Sequence, residues 1–481
     1  MNVDIEILIA RLRWPIASTR WWAMQELAAL LLSPETQEEV EKQLMVELVR
    51  CRLEAETVEV ICVFWMAARQ GYAPPSNFAS IVPHPSLLAA LLLSDMGRML
   101  STAPNPPLEV VPENFKEPAR FRELQGFDVP RTYLTRLSRL QHQTGLPFVA
   151  QCAFEWARTD DTYPMAPIQG DLAYFVRPVG DGMTGAFTTR AMLRMLTAYQ
   201  RTLSVAITHW GMPEEAAVRF AVDALPVDPT LAFLRPARPS WLPDLGNQVA
   251  ADSASVETFI RRAVSSLAAA EPKAVLLSLV SPTYVDNNEI VELSVIRWRR
   301  WGATAIDVRN LADRFFNRQN QWGYGTCQSS DWGMITFVPT AELESVLDHE
   351  ANAAPMAAVY RFHRCGYLQR DLYPTRLYYP VVTGFGDQLT VEPRGGELQI
   401  SSANGPIATA SYWNAGWSPV HPAAMSGFCG TALVGTVDSL QVLSESPPDD
   451  HFYIWQVSRL RRSNGHAPFV AGEPECGALF I

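Results

Sequence analysis

The chain contains 481 residues, of which 48% are hydrophobic and 19% are charged, and its formal net charge is −11. This length predicts roughly two to four domains, and the apolar content excludes a disordered protein. The negative total argues against a protein coated in nucleic acid, although a local basic patch is compatible with it. Of the 39 basic residues only Lys42, Lys116 and Lys273 are lysines, a bias typical of a GC-rich bacterial genome.

The N-terminal segment and the cysteines indicate a cytoplasmic protein. Residues 1–14 carry Asp4 and Glu6 and lack the basic start and apolar centre of a signal peptide. The longest apolar stretches, such as residues 87–93, are well short of the roughly 20 residues that cross a membrane. The seven cysteines form no CxxC pair, which favours reduced thiols over disulfides or a zinc site. We therefore expect no membrane contact, no metal and no other cofactor.

Helical patterns dominate the first half of the chain. Residues 1–100 show apolar residues at helical spacing, for example in a helix over 56–70 that stops at Gly71. Residues 101–115 hold four prolines and are typical of a linker. Residues 116–270 are again mainly helical, with the clearest helix over 189–210, and a second proline-rich stretch covers 226–243.

One N-terminal segment resembles a known repeat. A proline-marked turn at Pro15 is followed by Arg20 and then by Ala23 and Leu27 facing a partner helix, which resembles the second helix of a HEAT repeat. The resemblance covers one repeat, with a second match over 55–70. It implies a helical stack that offers a surface to partner proteins and carries no chemistry. An ordinary helical bundle is the alternative.

The pattern changes after residue 270. Short runs of β-branched and aromatic residues over 271–481 are separated by turn residues at 286–288, 395–396 and 404–405, which predicts strands and hairpins. One helix over 305–319 interrupts them. The fold class predicted for the whole chain is α+β and multidomain: an all-helical N-terminal and central region, followed by a C-terminal β-rich α+β domain.

Several enzyme classes are argued against by missing motifs. The three lysines follow Glu41, Phe115 and Pro272, so the chain has no Gly-Lys-Ser/Thr of a P-loop. It also has no GxSxG, GxGxxG or HExxH motif. These absences argue against a P-loop ATPase, a kinase, a standard esterase and a zinc protease of the HExxH type.

Residues 427–434 resemble the nucleophile segment of chymotrypsin-fold proteases that use cysteine. The resemblance implies that Cys429 is the nucleophile and that the Gly427 N–H belongs to the oxyanion hole. A nearby histidine would activate the thiol. The candidate bases are His349, His363 and His421. The alternative is a buried cysteine in a glycine-rich hairpin.

A basic and aromatic stretch over 296–324 is the second candidate site. Arginine binds phosphate with two hydrogen bonds, and aromatic rings stack on bases. A protein partner is an alternative, because arginine and tryptophan are favoured interface residues. A purely structural role, with core aromatics and arginine–aspartate pairs, is another. The candidate residues are Arg297, Arg299, Arg300, Arg314, Arg318, Trp298 and Trp301.

The leading functional hypothesis is an interaction or scaffold subunit of a multiprotein complex, with other protein subunits as partners. A role in a defence-type system is suggested by the architecture alone. A cysteine hydrolase acting through Cys429 is the alternative. Nucleic-acid binding through 296–324 is the second alternative.

Overall fold

A computed structural model provides the structure of the protein. It describes residues 3–14, 17–100, 107–123, 129, 132–164, 190–227, 232–233, 238–243, 253–286, 288–301, 307–313, 353–356, 390–414, 429–436, 450–464, 467 and 470–481.

Helices make up the N-terminal and central part of the chain. They are α1 (Val3–Leu12), α2 (Ala17–Leu31), α3 (Gln37–Arg50), α4 (Glu54–Ala68), α5 (Leu87–Asp95), α6 (Ala119–Glu123), α7 (Thr132–Thr144), α8 (Phe148–Arg158), α9 (Arg190–Trp210), α10 (Glu214–Ala221) and α11 (Ser253–Ala270). Two short 3-10 helices cover Phe78–Ile81 and Val222–Ala224. Within the described part of the chain, no helix combines the length and the apolar character that crossing a membrane requires.

Helices α4 and α9 form the centre of the helical part. Helix α4 is apolar on every side from Val60 onward and is buried along most of its length, which fits a helix surrounded by others. Helix α9 packs against α4, α5, α8 and α10. It ends where the sequence predicts, because Gly211 adopts a positive φ of 70° and the Met212 N–H donates to the Ala206 carbonyl at 2.9 Å.

The C-terminal part is one antiparallel sheet. Its strands are β1 (Ala274–Asp286), β2 (Glu289–Arg300), β3 (Ala353–Pro355), β4 (Thr390–Arg394), β5 (Glu397–Ser402), β6 (Gly405–Asn414), β7 (Cys429–Thr436), β8 (Asp450–Arg461), β9 (Val470–Ala471) and β10 (Glu475–Phe480). Their order is β10-β8-β2-β1-β7-β6-β5-β4, with β3 beside β2 and β9 beside β8. Strands β2 and β8 pair over their full lengths, from Glu289 opposite Arg461 to Arg300 opposite Asp450.

The two faces of the sheet contribute to different apolar clusters. Helix α11 covers one face, where Phe259 and Ile260 join Leu293, Val295 and Trp455. The other face contributes to the cluster that also contains the helical core. Successive strand residues point to opposite faces, so each neighbouring pair on β2 is divided between these two environments.

The structure confirms the predicted fold class. Helices precede a C-terminal antiparallel sheet, and the chain turns between paired strands at each of the three turn positions read from the sequence. The β-branched run over 289–296 predicts a strand, and strand β2 extends beyond it to Arg300. The sequence predicts a helix start at Pro34, and helix α3 begins at Gln37, after a turn over 34–36. Most of the predicted helix over 305–319 lies outside the described residues.

Candidate functional site

The predicted basic residues meet at one end of the β2–β8 ladder. Arg297 lies opposite Tyr453, Arg299 lies opposite His451, and Arg300 lies opposite Asp450. Because side chains alternate along a strand, Arg297 and Arg299 project from the face that α11 covers. We call Arg297, Arg299, Arg300 and His451 the strand-end cluster.

Arg297 is held by an aromatic side chain instead of a carboxylate. Its Nη1 donates to the Tyr453 hydroxyl at 3.1 Å, and its guanidinium lies 5.5 Å from the centre of the Tyr453 ring. The Tyr453 hydroxyl donates in turn to the Leu276 carbonyl at 3.0 Å. Within the described part of the chain, Arg297 has no acidic partner, and its buried Nε has no hydrogen-bond acceptor. The side chain is therefore fixed in place, and no carboxylate among the described residues offsets its charge.

The two neighbouring arginines also contact aromatic rings. The Arg299 guanidinium lies 5.0 Å from the Trp301 ring, and the Arg300 guanidinium lies 5.3 Å from the Phe480 ring. Arg300 additionally pairs with Asp450 at 2.8 Å. Three guanidinium groups thus share one end of the sheet with this carboxylate.

His451 reports the electrostatic potential of the cluster. Burial lowers the pKa of its imidazole, and the positive charges of Arg297 and Arg299 lower that pKa further, while Asp450 opposes them. His451 is therefore neutral at neutral pH. Arg297 and Arg299 therefore place positive charge beside His451, and positive charge attracts anions.

The remaining predicted residues of this stretch have different positions. Trp298 is 0% exposed and stacks on Phe452, with 6.4 Å between the ring centres, so its ring is not available as a surface for stacking. Trp301 is partly exposed. Arg314 and Arg318 lie outside the described residues.

The protease-like segment is described only at Cys429 and beyond. Cys429 is the first residue of β7 and pairs with Asn414 of β6. A side chain at Gly430 would lie 2.4 Å from the Trp413 ring and 2.5 Å from the Val280 carbonyl, which explains why glycine occupies this position. Gly427, His349, His363 and His421 lie outside the described residues, so the hydrolase hypothesis stays a prediction.

The sequence did not indicate the partners of the arginines. Tyr453, Asp450 and His451 lie about 150 residues further along the chain, as the 150-residue separation of Arg300 and Asp450 shows. Only the pairing of β2 with β8 brings these residues to Arg297 and Arg299. A run of β-branched and aromatic residues over 452–457 predicted a strand, but no local signal predicts its partner strand. Among the described residues, no group of histidine, cysteine and acidic side chains is arranged to hold a metal ion.

No family model matches the chain, and no curated protein matches its sequence.

Proposed function

We propose that the chain is an interaction subunit that binds the phosphate groups of a nucleic acid strand at its strand-end cluster. The observation that carries this proposal is Arg297, a half-buried guanidinium fixed by Tyr453 and without an acidic partner in the described part of the chain. An arginine in this setting keeps free N–H donors in a fixed geometry. A phosphate can accept two parallel hydrogen bonds from such a guanidinium group.

The neighbouring groups support the same ligand. Arg299 adds a second positive charge on the same face of the sheet, and both charges act on His451. The partly exposed ring of Trp301 lies beside Arg299, and an aromatic ring next to guanidinium groups is the arrangement with which proteins stack bases. This function agrees with the expected scaffold role, because a nucleic acid strand is one component of such an assembly.

Fluorescence anisotropy with a labelled single-stranded oligonucleotide tests the proposal. We expect binding that weakens steeply as salt concentration rises, because phosphate contacts release counterions. The double variant Arg297→Gln/Arg299→Gln should bind about tenfold or more weakly. Its plot of log Kd against log salt should lose about 0.7 in slope for each phosphate contact removed.

The opposite end of the same ladder provides a matched control. Arg459 and Arg461 both pair with Glu289, at 3.2 and 3.1 Å, and Arg459 also lies 3.7 Å from Glu475, so two carboxylates offset their two charges. The double variant Arg459→Gln/Arg461→Gln removes the same formal charge and should bind like the wild type. Equal weakening by both double variants contradicts a specific site. Equally tight binding of poly-glutamate, with the same dependence on Arg297 and Arg299, would assign the cluster to an acidic protein instead.

A further inference from the structure

His451 lies beside both arginines of the proposed phosphate site. It is directly opposite Arg299 on the paired strands β2 and β8, while Tyr453, two residues further along β8, is opposite Arg297. Side chains opposite each other on antiparallel strands share one face, with Cβ atoms about 4.5–5.5 Å apart, and diagonal neighbours lie about 7–8 Å apart. His451, Arg297 and Arg299 therefore occupy one small area at the end of the sheet.

The imidazole ring of His451 is open to a ligand. The side chain is partly exposed, and within the described part of the chain its ring nitrogens form no hydrogen bond. The carboxylate of Asp450 is engaged elsewhere. Asp450 follows the alternation of β8 onto the opposite face, where its Oδ2 atom accepts from Arg300 Nη2 at 2.8 Å. Its Oδ1 atom accepts from the backbone N–H of His451 at 2.8 Å.

The charges around His451 disfavour its protonated form when no ligand is bound. Burial lowers the pKa of the imidazole, Arg297 and Arg299 lower that pKa further from β2, and Asp450 opposes them. Tyr453, on the same face, stays neutral because burial raises its pKa. A neutral imidazole thus lies beside two guanidinium groups.

The other elements around this area present uncharged side chains. Leu479 of β10 lies opposite Tyr453, and Ala354 of β3 lies opposite Arg299. Helix α11 covers the same face with buried apolar residues, which are Val256, Phe259, Ile260, Ala263 and Leu267. The protonation of His451 therefore depends mainly on the two arginines, on Asp450 and on whatever anion is bound.

A bound phosphate reverses the balance at His451. Its negative charge offsets the two guanidinium charges, and an opposite charge within about 4–6 Å favours the protonated form of a histidine. Both ring nitrogens of an imidazolium are donors, and hydrogen bonds from a charged donor to a phosphate oxygen are among the stronger ones. Phosphate binding and protonation of His451 therefore favour each other.

We infer that His451 is a third phosphate ligand of the strand-end cluster and that it binds as the imidazolium, so that binding takes up a proton from solvent. The inference rests on the proposed function and adds a regulation to it. The chain holds a nucleic acid strand more tightly as the pH falls and releases it as the pH rises.

Because histidine titrates between about pH 5 and 8, anisotropy with a labelled oligothymidylate at neutral pH and about pH 5.5 tests the inference. Neither thymine nor the phosphodiester titrates in this range, so a change in Kd reports on the protein. We expect the Kd to be about three- to tenfold lower at the acidic pH, because each pKa unit gained on binding contributes up to about a tenfold gain in affinity.

His451→Gln should lose this difference, since glutamine is polar but does not titrate. Carboxylates elsewhere add a pH dependence that all variants share, so the comparison with the wild type isolates His451. His142→Gln is the matched control: His142 is an exposed histidine of α7, far in the chain from the cluster, and its variant should keep the wild-type difference.

An NMR titration of the wild type gives a second measurement that needs no variant at the site. The pKa of the His451 imidazole should rise by about one unit or more when the oligothymidylate is bound. The same pH dependence in the wild type and His451→Gln, or an unchanged His451 pKa in the complex, would overturn the inference. Binding that then still depends on Arg297 and Arg299 would leave the proposed function standing without His451. Absence of binding at both pH values would overturn both.

Discussion

Glu54 and Arg201 form a buried ion pair between two helices that lie 147 residues apart in sequence. The Arg201 Nε and Nη2 atoms donate to the two oxygens of Glu54 at 2.6 and 3.0 Å, and both side chains are nearly inaccessible to solvent. Arg201 Nη1 also lies 3.9 Å from Glu155 of α8. The pair therefore connects the start of α4 to α9 at a site that also includes α8.

Removing only one partner of this ion pair should destabilise the protein strongly. Arg201→Met leaves Glu54 buried without its partner, and such losses cost about 3–5 kcal/mol in the free energy of unfolding. The double variant Glu54→Leu/Arg201→Met removes both charges. Its loss in free energy of unfolding should be smaller than the summed losses of Glu54→Leu and Arg201→Met. Urea denaturation followed by tryptophan fluorescence measures these differences.

An exposed pair serves as the control for this cycle. Arg122 and Glu117 interact at 2.6 Å at the surface, so Arg122→Met should cost less than about 1 kcal/mol. If the double variant loses as much free energy of unfolding as the two single variants together, the direct coupling of Glu54 and Arg201 that their geometry implies is contradicted.

Glu155 should make stability depend on pH. Burial raises the pKa of this carboxyl in the folded protein, although Arg158 and Arg201 oppose that rise. A group with a raised folded pKa stabilises the fold below its unfolded pKa, near 4.3, and loses that contribution as pH rises through the folded value. Compared with Glu155→Gln, the wild type should therefore gain free energy of unfolding when the pH falls from neutral towards 5.

Paired denaturation curves of the two proteins at neutral pH and near pH 5 test this expectation. The difference between them isolates Glu155 from the other carboxyl groups, because those groups titrate in both proteins. If the free energy of unfolding of the wild type falls relative to that of Glu155→Gln on acidification, the direction of the pKa shift is contradicted.

The sequence predicted local features of the fold well. The residues at 286–288, 395–396 and 404–405 predicted three turns between strands, since asparagine and glycine favour turn conformations. Gly211 predicted the end of α9 for a similar reason. These features depend on the conformations of a few neighbouring residues, which the sequence specifies directly.

The candidate site depended on contacts that the sequence does not specify. Arg297 and Arg299 were recognised as basic residues, but their surroundings follow from β2 pairing with β8 across a long intervening segment. Trp298 was a candidate for ligand binding, with a position in the core as the alternative. Once the strand extends to Arg300, the alternation of side chains places Trp298 on the face opposite Arg297.

Gly477 should be intolerant of substitution because a tryptophan ring occupies the space of a side chain. A Cβ atom there would lie 2.2 Å from Cζ2 of Trp455, which faces Gly477 across β8 and β10. Gly477→Ala should therefore cost about 1–3 kcal/mol, since the buried ring has to shift. Gly472→Ala is the control, because its nearest neighbour is the Arg459 carbonyl at 3.7 Å. Thermal unfolding of both variants measures the contrast, and equal melting temperatures would contradict it.

Cysteine reactivity should follow burial and also decides the hydrolase hypothesis. Cys62 and Cys152 are buried and desolvation raises the pKa of both thiols, so iodoacetamide at neutral pH should leave them unmodified in the native protein. Cys476 is only partly buried and should react first among the free cysteines of the described residues. Mass spectrometry of peptides after brief labelling measures this order, with the denatured protein as the control in which every cysteine reacts. Faster labelling of Cys152 than of Cys476 would contradict the packing of α8 against α9.

A nucleophilic Cys429 requires a depressed pKa and therefore the fastest labelling of all. An unmodified Cys429 would rule out the hydrolase, because the thiolate that attacks iodoacetamide is the same species that attacks a carbonyl.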